Sequence, residues 1–553
     1  MGSPRDPQAL DQGEKVAHLN GEHLANIGIT RRQALAGAGA TALSLGLAAC
    51  GGSSGGAKTG GGSGATAIKR GGNLRVAVEG NGLKDIMDAQ NDLAKIDQAR
   101  MVTGWQPLLE FDRNYKLTTT GLAESLEPDG EKAYVVKLRQ GIEFHNGKTM
   151  TADDVIYSLQ RLRNKSLNLD GGTGVTSVDP NNLKKLDKYS VRIGLTQPDV
   201  TIPFGLGAYT ATIVPVGYNN KGKSWKEGQV GTGPFRLESF TPGQQSVHTK
   251  FENYWESGKP YLDQVTILDI TDANARMNAL IAGQIDAMAD VPYNQAKLIT
   301  AQPSLVLFNN EGGGWLTLCM RIDQKPFTDV RVRQAFRLIA DRPQMLEQAL
   351  AGYGRIANDM YAPFDPAYMN LPQRTQDLEQ AKSLLKAAGY ENLKIDLPTS
   401  EVATGLNEMC QVFAQQAKGA GVSVNVQVLD ATTFNNGFQK WTFSPDFWGT
   451  RMYLPQVAQS ELKGAPYNEC YWPPKGSNFA ALYNQALATL DTGKRTDIIH
   501  EMMREEFDTG GYIIPFFDNL VDAYSKKVGG FEKNRGTLNL DYYGRHFSDV
   551  YFV

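Results

Sequence analysis

Apolar residues recur along this chain in two periods, and the switches between them mark out its elements. Asn73-Leu74-Arg75-Val76-Ala77-Val78 reads as a strand. Within 133–139, the alternation of Tyr134, Val136 and Leu138 marks another strand, half buried. Val422, Val424, Val426 and Val428 alternate with Ser423, Asn425 and Gln427, a strand with one apolar face. Residues 264–270 read as a further strand, and 512–517 as a short apolar one interrupted by Pro515.

The helical period takes over elsewhere. Thr151-Ala152-Asp153-Asp154 has the form of a capping box, with Val155, Leu159 and Leu162 following at helical spacing. An Ala-rich helix is predicted over 273–282, stopped by Gly283. Val332, Ala335, Phe336 and Ile339 line one face of a helix over 329–340, and Asp341-Arg342-Pro343 opens the next. Helices are also predicted over 377–388, ended by Gly389, and over 496–508, with Ile499, Met502, Met503 and Phe507 inward. Strands and helices alternate from end to end, which argues for α/β or mixed α+β lobes. No repeat appears, and no linker breaks the chain after residue 72, so the chain crosses between lobes without a flexible joint.

Composition changes the picture mainly at the front. Of 58 glycines among 553 residues, ten fall between Gly51 and Gly72, a Gly/Ser tether that cannot bury apolar surface. Before it, Thr30-Arg31-Arg32 heads an uncharged run of 16 residues, Ala34 to Ala49. That run is shorter than the ~20 residues of a membrane span, and its basic head and small-residue end describe an export signal of twin-arginine type. It ends in Leu47-Ala48-Ala49-Cys50-Gly51, similar to the lipobox of bacterial lipoproteins, in which the Cys carries the lipid. Cys319, Cys410 and Cys470 remain, and outside the cytosol one disulfide among their three pairings is expected.

The net charge of −3 carries no footprint for nucleic acid or a polybasic membrane patch. Enzyme motifs are scarce. The G-x-S-x-G match at Gly51 to Gly55 lies in the tether, where no nucleophile elbow can form. No phosphate-binding glycine motif follows a strand. No C-x-x-C or Cys/His cluster points to a metal, and His145, His248, His500 and His546 are scattered and expected to be structural. Aromatics crowd instead between Phe434 and Trp472, ten in 39 residues. With glycines and prolines interleaved, the segment is expected to be loop, and such loops line small-ligand and peptide pockets. Arg451 lies within it and could pair bidentately with a carboxylate or phosphate.

Several stretches in order resemble one family. Leu122 to Leu126 with Tyr134 to Gly147 is similar to its "LAesw … FkLRxGvkFhdG", Thr151 to Val155 to "tAeDV", and Gly231 to Phe235 to "GTGPY". Asn253 to Trp255 with Gly258 to Asp263, Leu280 to Asp286, and Pro326-Phe327 with Arg331 to Phe336 and Asp341-Arg342 follow the same pattern. The chain from Gly72 to about Phe531 thus resembles the extracellular solute-binding proteins, family 5, of ABC transporters, which include oligopeptide, dipeptide and nickel binders.

The resemblance implies an α/β, two-lobed periplasmic-binding-protein fold (a Venus flytrap of class II, the large cluster C type) with an extra N-terminal subdomain. It implies the division 1–49 signal, 50–72 tether, 73–110 with 226–310 and 512–553 lobe I, 111–225 extra subdomain and 311–511 lobe II. It also implies no catalytic group and no cofactor. The expected partners are a small-molecule or peptide ligand, an ABC permease with its ATPase subunits, and the outer face of the cytoplasmic membrane through Cys50. The protein is expected to be a monomer. Trp448, Arg451, Trp441, Tyr453 and Trp315, with Glu79 after the first strand, are the candidate ligand-binding residues.

Two departures stand out. Peptide binders of the family carry W-x-x-D, whose Asp meets the ligand ammonium, whereas here the segment reads Trp448-Gly449-Thr450-Arg451. A cation there repels an ammonium and favours an anionic or non-peptide ligand. Arg321 stands near where the family often has Asn before "PF". Rival readings are a sensory or scaffold lipoprotein on the same fold, separable by neighbouring permease and ATPase genes, and an extracellular hydrolase, which needs a convergent nucleophile and base.

Overall fold

The computed structural model describes residues 68–218 and 225–553. Cys50, the arginine pair and the tether through residue 67 lie outside the described residues. The main sheet is built from Asn73–Val78 (β1), Phe235–Thr241 (β2), Gln245–Lys250 (β3), Gln264–Asp269 (β4), Ala287–Met288 (β5), Leu305–Met320 (β6), Phe443–Trp448 (β7) and Tyr512–Ser525 (β8). Their order is β7-β6-β8-β5-β1-β4-β3-β2, with Gly354–Ile356 added against β8 and Arg535–Gly536 against β6.

β1 runs parallel to both β4 and β5. Leu74, Val76 and Val78 enter one apolar core while Ala77 enters the core on the other face. Cover on both faces is what a parallel strand needs, and it explains the near-continuous apolar run.

β6 and β8 are the long strands. They pair antiparallel from Leu305↔Ser525 to Glu311↔Asn519, lose register, and resume from Trp315↔Phe517 to Cys319↔Tyr512. The break holds Gly312, Gly313 and Gly314, and a Cβ on Gly312 would stand 2.4 Å from the Asp518 carbonyl oxygen. Before the break Phe308, Val521 and Ala523 pack in the cores of β1. After it Leu316, Leu318 and Trp315 pack in two others. The two strands therefore pass from one lobe to the other, and the irregularity sits at the crossing.

The expected strand over 512–517 does not stop at Phe517 but continues to Ser525. The apolar run ends there because Asp518 and Asn519 belong to the crossing and not to a core. Pro515 lies at a second register shift, where its missing N–H costs the ladder nothing.

A separate four-stranded sheet joins Ala123–Pro128, Ala133–Leu138, Ser190–Leu195 and Val178–Asp187 in that order. The helix Ala152–Leu162 covers it with Val155, Leu159 and Leu162. The Asp154 carboxylate accepts from the Thr151 N–H at 2.9 Å and from the Lys148 ammonium at 2.6 Å. Asp154 thus caps the helix, as expected, while Asp153 pairs with Lys185 at 2.8 Å on the surface.

Helices Val330–Ile339, Arg342–Leu350, Leu378–Ala387 and Leu406–Lys418 surround the far half of β6 and β8. The helix expected at 496–508 begins earlier, as Thr492–Thr509, because Asp491 caps it by accepting from Lys494 N–H at 2.8 Å.

The expected disulfide is absent. Cys319, Cys410 and Cys470 are buried free thiols. Cys319 Sγ donates to Glu469 Oε2 at 3.1 Å, and Cys410 lies in a different core from the other two. Among the described residues no helix is long and apolar enough to cross a membrane.

Candidate ligand-binding site

The aromatic segment is not the expected loop. It contains β7 and the helix Tyr453–Ser460. Its prolines fit both elements. Pro445 lies on β7, the terminal strand of the sheet, and Pro455 lies in the first turn of the helix, where an N–H has no partner to lose.

β7 opposes β6 with Trp448 directly across from Trp315. That register starts a column of four parallel rings. Trp448 stacks on Trp315 at 5.8 Å, Trp315 on Tyr361 at 5.5 Å, and Tyr361 on Tyr453 at 5.3 Å, with interplanar angles of 15°, 14° and 17°. Tyr512 meets Trp315 edge-on, and Tyr467 meets Trp448 edge-on. Offset stacks and edge contacts suit the ring quadrupole. At the far end Tyr361 and Tyr453 both donate to Glu506 Oε2, at 3.2 and 2.9 Å. Burial pushes the Glu506 carboxyl up to about 7, against the pull of those two hydrogen bonds.

The column is mostly interior. Trp315 and Tyr453 are 1% and 0% exposed, and Trp448 is 7% exposed. Arg451 is the open member, its guanidinium carbon 5.2 Å from the Trp448 ring centroid. The residue before it is held tightly: Thr450 Oγ1 donates to the Gly536 carbonyl at 3.0 Å and accepts from Gly313 N–H at 2.9 Å. The Tyr115 hydroxyl donates to the Thr450 carbonyl at 3.2 Å. Arg451 therefore emerges where the crossing bulge, the C-terminal segment and the hairpin around Tyr115 meet. Its charge reaches both Tyr115 and Tyr209, opposing the rise that burial imposes on their hydroxyls.

The structure brings Trp448, Trp315, Tyr453 and Arg451 together, but not Trp441 or Glu79. Trp441 packs on the Phe434 to Gly437 turn and points Nε1 at the Phe434 carbonyl, 3.4 Å away. Glu79 is exposed beyond β1, with its carbonyl accepting from Ile96 N–H at 3.0 Å. Arg321 is engaged locally. It pairs with Asp323 at 2.7 Å, donates to the Gln439 carbonyl and lies 3.8 Å over the Tyr471 ring. Tyr361 and Glu506, which complete the column, carry no sequence signal of their own. The glycine run before Trp315 is the one local hint that the strand is irregular there.

No group of three or more His, Cys, Asp or Glu among the described residues could hold a metal ion. His248 is buried and His145 half-buried, and desolvation lowers them to about 3 and about 4, so both stand neutral.

The family model described as "Bacterial extracellular solute-binding proteins, family 5 Middle" matches residues 118–459, more than half of the chain. The chain belongs to this family. It is a solute-binding protein of the kind that serves ABC importers, and its relatives are binders, not enzymes. The glutathione-binding protein GsiB of Escherichia coli O6:K15:H31 (strain 536 / UPEC) is 28% identical over 480 residues, covering 83% of this chain and 91% of that protein. Two solved structures share the fold. CtaP of Listeria monocytogenes has a TM-score of 0.78 at 21% identity, covering 88% of this chain and 100% of its own. AgaA of A. tumefaciens R10, in complex with agropinic acid, has a TM-score of 0.72 at 22% identity, covering 87% and 99%.

Proposed function

We propose that this protein is anchored by lipid on Cys50 to the outer face of the cytoplasmic membrane and captures a small anionic solute between its lobes. It then hands the solute to an ABC permease driven by ATPase subunits. In this reading lobe I is 73–110 with 226–310 and 512–553, lobe II is 311–511, and 111–225 is the extra subdomain. The lobes swing about the glycine bulge of β6, and the protein works as a monomer.

The observation that carries the ligand class is Arg451. It offers an open guanidinium over the Trp448 face, where peptide binders of the family place a carboxylate. A guanidinium fork suits a carboxylate, and the ring beneath supplies an apolar wall. Trp315 holds that ring from below and Tyr453 supports it through Tyr361, while Trp441 and Glu79 stand apart from it. The ligands named for two relatives, glutathione and agropinic acid, are both carboxylic acids, which agrees with this reading.

The test is native mass spectrometry of the purified protein, followed by titration of any retained acid or of glutathione. Arg451→Ala should weaken binding about tenfold or more, as the loss of a charge-assisted contact does. Unchanged affinity sinks the anionic reading. The anchor is tested separately, since Cys50→Ser should move the protein from the membrane fraction to the soluble one.

A further inference from the structure

With β6 and β8 as the joint between two lobes, any contact between the lobes outside that crossing must yield when they swing apart. The turn 199–201 of the extra subdomain makes such a contact. Val200 N–H donates to the Leu487 carbonyl at 3.1 Å, and the Val200 side chain packs against the core that contains Leu482, Tyr483 and Leu487.

The subdomain is built onto lobe I. Gln90 Nε2 donates to the Thr212 carbonyl at 2.8 Å, and Arg161 pairs with Asp88 at 2.5 Å, both side chains largely buried. Val214 and Tyr218 share a core with Leu237 and Phe240 of β2. The turn therefore travels with lobe I, while Leu487 belongs to lobe II.

Each half of the contact is shaped without the other. Asp199 is buried, and its carboxylate is spent within the subdomain. Oδ1 accepts from Thr201 N–H at 2.9 Å and from the Thr201 hydroxyl at 2.6 Å, and Oδ2 accepts from the Ser177 hydroxyl at 2.5 Å. The Tyr134 hydroxyl donates to the Asp199 carbonyl at 3.3 Å. These bonds fix the turn whether or not lobe II is near, and they leave the Val200 N–H for a partner outside the subdomain. On lobe II, Leu487 lies in the last turn of the helix Phe479–Ala488, where carbonyls lack partners within the helix. Arg495 donates to the Thr489 and Leu490 carbonyls just beyond, at 2.7 and 3.1 Å, and Val200 supplies the donor for Leu487.

A preformed donor on one lobe thus meets a helix-end carbonyl on the other, and the meeting requires the lobes to be shut. One backbone hydrogen bond and one half-buried apolar side chain are enough to bias such an equilibrium and too little to lock it. Neither Val200 nor Leu487 belongs to the ring column. Tyr115, whose hydroxyl donates to the Thr450 carbonyl, bridges from the subdomain as well, but it adjoins Arg451.

We propose that the 199–201 turn is a latch that holds the lobes shut and so sets the fraction of the protein in its closed form. A ligand of that form loses affinity in step with the closed fraction, although the latch never touches it. The proposal rests on the two-lobed reading and not on the ligand being an anion.

Electron-spin distance measurement on the ligand-free protein tests it. Nitroxides are placed on Leu186→Cys of the subdomain and Val428→Cys of lobe II, both positions more than half exposed, in a Cys50→Ser background whose other thiols are buried. With Val200 intact, the labels should show the separation of this structure together with a second, longer one. Val200→Asp, which sets a charge against an apolar core, should raise the long-to-short ratio about tenfold. Val200→Ala, which trims the side chain and keeps the N–H, should raise it about threefold. Circular dichroism checks both folds, and Val200→Ala decides alone if the aspartate variant misfolds. A ratio that ignores the substitutions overturns the latch and leaves the hinged reading standing, as does absence of the short separation when Val200 is intact. A single separation in every variant overturns the latch and the hinged reading together.

Discussion

Trp315 and Glu311 are four residues apart on one strand, yet they border different kinds of interior. Trp315 centres a dry ring column whose acid, Glu506, is driven toward its neutral form. Glu311 faces an open polar cavity, its carboxylate shared between Arg355 and Arg535. The glycine bulge between them lets one strand leave a packed core and enter a wet crossing. The column gains by excluding water, so its members should be costly to remove. The charged side chains around the cavity are exposed and their ion pairs are screened, so they should matter hardly at all for stability.

The sharpest break of that contrast is Trp315→Ala. A ring packed on both faces and at its edge should cost about 3–5 kcal/mol of unfolding free energy by denaturant titration. A loss under about 1 kcal/mol would mean that the column is not a core. Next comes the bulge. Gly312→Ala forces a Cβ against the Asp518 carbonyl oxygen, and overpacking against backbone should cost about 1–3 kcal/mol. It should also disturb both regions at once.

Glu506 gives a smaller, pH-dependent effect. Its folded value is raised from 4.5 to about 7, chiefly by burial, so the folded state binds the extra proton. Its contribution is fully present below about 4.5 and is lost as pH rises through about 7. Glu506→Gln, which is neutral throughout, should therefore be more harmful at pH 5 than at pH 8, by on the order of 1 kcal/mol. Denaturant midpoints of both proteins at the two pH values check this, and a pH-independent difference contradicts it. Last, Arg451→Ala and Arg535→Ala, both at exposed side chains, should shift stability by no more than about 0.5 kcal/mol in the same assay.

Most of the fold was legible because its elements carry their own periods. The helix after Thr151, the strand at Asn73 and the helices before and after Asp341 all lie where apolar spacing and caps place them. The expectations that failed did so for identifiable reasons. β8 outran its apolar stretch, because Asp518 and Asn519 continue the strand through a crossing that no core covers. The aromatic segment reads as loop in the sequence because its prolines and glycines look like breakers, yet an edge strand and a first helical turn tolerate Pro.

The site was legible only in part. Trp448 and Arg451 are close in sequence and in space. Tyr361 and Glu506 join them from about 50 and about 190 residues beyond Trp315, through pairings that no local pattern encodes. The cavity residues come from five separate stretches of chain, each an ordinary polar residue in its own neighbourhood.

The three free thiols divide between the two cores that flank the far half of β6. Cys410 lies with Leu316 and Phe336, while Cys319 and Cys470 lie with Trp315 and Tyr453. Burial raises Cys410 to about 12 and Cys319 well above the ordinary thiol value, so neither reacts while its core is shut. Each core thus carries an internal clock. The rate at which a small alkylating reagent modifies Cys410, set against the rate for Cys319, reports how often each layer opens on its own.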